Sequence, residues 1–103
     1  MEKVIRDGKV AVLISQGYGA GWYTWHRDNQ ELLFSPKLVE MVEQNKRNEI
    51  DDQWVLENLG IDMYAGGSDG LEIHWLPIGT IFCIEEYDGF ETIRTIEDLV
   101  LTA

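Results

Sequence analysis

The chain is expected to form an α+β domain: a mostly antiparallel sheet of about five or six strands packed against two helices. Three observations predict this. Asp7-Gly8 and Asp88-Gly89 each sit between strand-forming runs, the strongest short-range signal for a two-residue hairpin. Val10 to Ile14 is an almost unbroken apolar run, which suits a strand covered on both faces. Ser35-Pro36 and Gly60 punctuate two stretches with helical spacing.

Taken in order, Val4-Ile5-Arg6 and Lys9-Val10-Ala11 flank the first turn, so the first element is a hairpin whose second strand continues to Ser15. Asp28-Asn29-Gln30 is polar and turn-like, and Leu32-Leu33-Phe34 is a short apolar patch. Ser35 caps the first helix and Pro36 suits its first position. Leu38, Met41 and Val42 share its inner face, while Lys46 and Arg47 favour its negative end. Glu43 and Arg47 are spaced for a weak surface pair. A second helix is expected from Asp51 to Leu59, with Val55, Leu56 and Leu59 inward.

Ile61 to Tyr64 reads as a short strand and Gly66 to Gly70 as a loop. Leu71 to Leu76 alternates as a strand, Pro77-Ile78-Gly79 turns the chain, and Thr80 to Tyr87 reads as a strand apolar on both faces. Cys83 is expected to be buried and inert there. Phe90 to Ile96 closes the second hairpin, and Ile96 to Thr102 forms a last strand or a helical turn. With a two-residue turn Glu86 faces Glu91. Like charges directly opposite are destabilising, so a bulge is expected to shift the register.

The composition sets outer limits. With 103 residues, 45% of them hydrophobic and four tryptophans, residues 1–103 are expected to fold as a single domain. No apolar run approaches the roughly 20 residues of a membrane helix, and MEKVIRDGK lacks the apolar region of a secretory signal. One cysteine excludes an intramolecular disulfide framework and a thiolate zinc cluster. A cytoplasmic protein is expected. Residues 1–48 carry a net charge of +1 and residues 49–103 a net −12, together −11. That balance repels nucleic acid phosphates. It suits a basic protein surface, an imitation of the DNA phosphate track, or simple solubility.

The chemistry concentrates in one stretch. Gly17, Tyr18, Gly19, Ala20 and Gly21 follow the central strand, and three glycines in five residues imply positive φ or close approach to the backbone. Trp22, Tyr23, Trp25 and His26 come directly after, with Arg27 next. Bare amides, aromatic faces and a guanidinium suit a planar anionic ligand. The same residues also suit a tight turn with tryptophans capping a core. No cofactor fingerprint is present: Gly21 is followed by Trp22 and not by Gly-Lys-Ser/Thr, and the G-x-G-x-G spacing is not that of a dinucleotide fold. His26 has no partnered nucleophile and no serine lies in a G-x-S-x-G context, so no catalytic residues are assigned. Asp69, Glu72 and His74 follow neither calcium-loop order nor zinc spacing, so no metal is assigned.

The segments VAVLISQGYGAGWYTW, LLFSPKLVEMVE and IHWLPIGTIFCIEEYDGFETI together resemble a family of small bacteriophage proteins. The likeness spans most of the chain and is most specific at Gly17 to Trp22 with Trp25, and at Glu85-Glu86-Tyr87-Asp88-Gly89. The resemblance implies a phage setting, and with it the class of small proteins that disarm host defences. Within that class the loop suggests sequestration of a nucleotide-like signal, with an oligomer expected because a small domain gains a deep pocket most easily between subunits. The alternative is an acidic inhibitor or DNA mimic that blocks a host effector through Glu85, Glu86, Asp88 and Glu91.

Overall fold

A computed structural model describes residues 1–99. Its elements, in order, are strand β1 (Ile5–Arg6), strand β2 (Lys9–Ser15), the one-turn helix α1 (Glu31–Phe34), helix α2 (Pro36–Glu43), helix α3 (Asp52–Leu59), and strands β3 (Leu71–Pro77), β4 (Phe82–Tyr87) and β5 (Phe90–Thr95). The class is α+β and every pairing is antiparallel. The five strands do not form one sheet. They divide into a three-stranded sheet, β1-β2-β3, and a separate hairpin, β4-β5. No helix among the described residues is long and apolar enough to cross a membrane.

β2 is the centre of the molecule. All seven of its residues pair with β3, from Lys9 opposite Pro77 to Ser15 opposite Leu71. Its apolar run is buried on both faces because each face enters a different core. Ala11 and Leu13 pack with Trp22, Leu38, Val55 and Leu71 beneath α2 and α3. Val12 and Ile14 pack with Leu33, Phe34 and Ile84 between α1 and the β4–β5 hairpin. Burying each such aliphatic side chain contributes roughly 1.5–3 kcal/mol.

The helix signals hold at both starts. Ser35 Oγ accepts from the Leu38 amide at 3.5 Å, and Asp51 Oδ1 accepts from the Trp54 amide at 2.8 Å. Gly60 ends α3 in the left-handed region at φ 71°. The expected extension of α2 toward Arg47 does not occur, because Asn45 turns left-handed at φ 58°. Arg47 is therefore not beside Glu43. Glu43 pairs with Arg6 instead, at 2.5 Å, and Arg47 donates to the Leu71 carbonyl at 2.6 Å.

Three further expectations are corrected. Ile61 to Tyr64 has no ladder partner and is not a strand, although Ile61, Met63 and Ala65 alternate inward. Cys83 is exposed, because β4 turns one face to solvent. No bulge intervenes in the last hairpin: Tyr87 pairs with Phe90, and Glu86 lies opposite Glu91. Glu97–Leu99 forms a 3-10 turn, and the remainder of the expected final element lies outside the described residues.

Candidate functional site

The glycine loop is organised by a carboxylate. Glu91 is fully buried, and its Oε1 accepts from the Ser15 amide at 2.8 Å. Its Oε2 accepts from the amides of Trp22 at 3.1 Å and Thr24 at 2.8 Å, and from the Thr24 hydroxyl at 2.6 Å. A buried charge needs such compensation, since desolvation of an ion costs several kcal/mol. Both oxygens receive it, and both ends of the loop are tied to one side chain.

Within the loop itself one amide, that of Gly19, has an acceptor among the described residues. The Gly19 amide donates to the Asp88 carbonyl at 2.5 Å, and the Gln16 amide to the Gly70 carbonyl at 2.8 Å. Gly89 lies so close to Ala20 that a methyl group on it would collide with the Ala20 backbone, and Gly67 stands likewise against Gly21. Close approach between segments is thus what several of these glycines serve. The backbone at Gly17, Ala20 and Gly21 is thereby covered by Gly70, Gly89 and Gly67, which narrows its access to a ligand.

The aromatic cluster does not converge on one ligand. Trp22 is fully buried, with its indole N–H donating to the Leu32 carbonyl at 2.8 Å, so it presents no face to a ligand. That corrects its expected stacking role. Trp25 is about half exposed and donates from Nε1 to Glu86 at 3.0 Å. Tyr18 projects outward against Phe90, with ring centroids 5.1 Å apart. His26 Nε2 lies 3.1 Å from the Tyr64 carbonyl oxygen. Gly17 and Ala20 are half-buried, Gly21 is buried, and Gly19 is exposed.

The acidic quartet is not one free patch either. Glu91 is buried, which removes it from any docking surface. Glu86 accepts from Trp25 and from the Gly89 amide, and these bonds hold its carboxyl below the usual range. Glu85 pairs with Arg94 at 3.1 Å. Asp88 occupies the turn at φ 48°.

Arg27 is the predicted ligand residue that reaches a cavity of useful size. It lines a groove of about 360 Å³ with Lys3, Tyr23, Phe34 and Phe82. Volumes above roughly 300 Å³ are typical of small-molecule sites. The Arg27 guanidinium lies 5.7 Å from the Tyr23 ring centroid, and its Nη2 donates a long 3.4 Å bond to the Ile84 carbonyl. Lys3 Nζ sits 4.5 Å over the Phe34 ring, and Phe34 meets Phe82 edge to face at 6.4 Å. Neither cation has a carboxylate within ion-pair range among the described residues, as is also true of Lys9, Lys37 and Lys46, although Arg27 is near enough to Glu86 to favour its charged form.

One wall of this groove is the outer edge of β4. The two-residue turn makes Tyr87 and Phe90 a hydrogen-bonded pair, and alternation then aims the backbone groups of Phe82, Ile84 and Glu86 away from β5. The contact from Arg27 to the Ile84 carbonyl agrees with that direction. Lys3, Phe34 and Phe82 were not recognised as site residues in the sequence. Lys3 precedes any periodic pattern, and the other two read as core.

The site is therefore a half-open groove with two cations, three aromatic rings and a strand edge. It can hold a flat, negatively charged molecule. The residues on either side of the Gly17–Gly21 loop are held together by Glu91. No protein-family model, curated protein or solved structure matches the chain.

Proposed function

We propose that this protein binds a small anionic ligand with a flat apolar portion in the groove between Lys3 and Arg27. The observation that carries the proposal is that two cations, neither in an ion pair among the described residues, line one aromatic-walled cavity in a chain of net charge −11. In so acidic a protein, cations outside ion pairs attract a small anion where the overall field repels it. Tyr23, Phe34 and Phe82 supply stacking or edge contacts, and the Ile84 amide supplies a donor. A nucleotide-like compound has the required chemistry, with phosphate toward Lys3 and Arg27 and a base against the rings. In a phage setting, the role of such a site would be sequestration of a nucleotide-like host signal.

The test is thermal unfolding against mononucleotides, cyclic oligonucleotides and cyclic ADP-ribose isomers. A ligand at about 100 times its dissociation constant adds roughly 2.7 kcal/mol to stability. One or more compounds should raise the melting temperature of the wild-type protein and fail to raise that of Arg27→Ala. Arg27 is exposed, so its removal leaves the core intact. A panel without any shift, repeated with inorganic phosphate and simple aromatic acids, would overturn the proposal.

A further inference from the structure

The groove does not end at Phe82. A second cavity of about 160 Å³ shares Lys3, Phe34 and Phe82 with the first. A third, of about 390 Å³, shares Leu76, Pro77, Gly79 and Thr80 with the second. The three form one trough from Arg27 to the turn after β3, and its character changes along its length. The near end has the two cations. The middle is walled by Val10, Val12, Phe34 and Phe82. The far end has Pro77, Ile81 and Ile96, and among the described residues its charged side chain is Glu97, with Arg94 on an adjoining cavity that shares Ile81 and Ile96.

The far end holds apolar surface that no other element among the described residues covers. Among the described residues Ile81 is 69% exposed and Ile96 54% exposed, on neighbouring segments of the same wall. Thr80 is already engaged there, its amide and hydroxyl both donating to the Pro77 carbonyl at 3.1 Å and 2.7 Å. An apolar occupant suits these walls better than an anion does, because Glu97 repels one and the neighbouring Arg94 is already paired with Glu85 at 3.1 Å. The near end has the opposite preference.

We infer that the trough takes an anionic amphiphile: a carboxylate or phosphate head between Lys3 and Arg27, and an unbranched apolar chain running past Phe82 to Ile81 and Ile96. This rests on the anion site proposed above and adds a second, independent requirement, the chain. The opposed charges at the two ends fix the direction in which the ligand lies.

A chain-length series tests it. Linear carboxylates and alkyl phosphates from two to twelve carbons, kept below their micellar concentrations, are titrated into the full chain by calorimetry. Each methylene that enters the trough should tighten binding about four-fold, until the chain outgrows the walls. Ile81→Glu should flatten this dependence while leaving the affinity of the shortest acids unchanged. Arg27→Ala should weaken every member of the series. Anions that bind with an affinity independent of chain length would overturn the amphiphile and leave the anion site standing. Alcohols that bind as tightly as acids of equal length would also overturn it. If no acid, phosphate or nucleotide binds, both proposals fall together.

Discussion

Glu86 and Glu91 lie directly opposite each other on adjacent strands, and each accepts hydrogen bonds from the segment after the glycine loop. Glu91 collects the Ser15, Trp22 and Thr24 amides and the Thr24 hydroxyl. Glu86 collects the Trp25 indole and the Gly89 amide. A repulsive cross-strand pair thus becomes the fastening between the hairpin and the glycine loop.

Removing the buried member should be severe. Glu91→Ala leaves Ser15, Trp22 and Thr24 donors without an acceptor, each buried group costing about 1–3 kcal/mol. The expected loss exceeds about 3 kcal/mol, a large share of a small domain's stability. Glu91→Gln should lose nearly as much, since its amide nitrogen confronts donors. Denaturant titration checks both against Glu85→Gln, whose exposed pair with Arg94 should cost less than about 1 kcal/mol.

The exposed member should give a pH signature. The Trp25 indole and then the Gly89 amide hold the Glu86 carboxyl below its ordinary value. Its stabilising contribution is therefore fully present above the ordinary carboxylate pKa and lost as pH falls through the depressed folded-state value. The Trp25 indole N–H resonance should titrate in that acid window and become pH-independent in Glu86→Gln. A Trp25 resonance that titrates identically in both proteins would exclude the contact.

The two tryptophans of the loop should separate cleanly. Trp22→Phe leaves the buried Leu32 carbonyl without its donor, an expected loss of about 1–3 kcal/mol, with further loss from the vacated volume. Trp25→Phe, at a half-exposed site, should change stability by less than about 1 kcal/mol. Chemical denaturation with matched tryptophan fluorescence distinguishes them.

Two glycines with the same backbone angle should also behave differently. Gly79 and Gly89 both have φ +86°, but a methyl group at Gly79 meets open space and at Gly89 meets the Ala20 backbone. Gly79→Ala should show only the left-handed penalty, about 1–2 kcal/mol. Gly89→Ala should lose at least about twice that, because Ala20 must move. Equal losses would mean that the hairpin does not rest on the loop.

The local grammar of the chain was legible. Asp7-Gly8 and Asp88-Gly89 are the turns, Val10 to Ile14 is the doubly buried strand, and Ser35, Asp51 and Gly60 are helix ends. The site was not, for a reason of distance. The amides of Ser15, Trp22 and Thr24, on either side of the glycine loop, had no visible partner nearby, and their acceptor is 67 to 76 residues away. They therefore read as donors awaiting a ligand. The clue was the opposition of Glu86 and Glu91. It is resolved by donors from another segment, not by a bulge. Lys3 carried no signal at all, since only the path leading into β1 and β2 brings it beside Phe34.

The position of Glu91 bears on synthesis. A nascent chain that has emerged only as far as β3 can zip that strand onto β2, yet the Trp22 and Thr24 amides still lack their acceptor. The loop that looks most finished in the primary structure must stay unsettled on the ribosome until residue 91 emerges. A segment made early is thus completed by a side chain made 67 to 76 positions later.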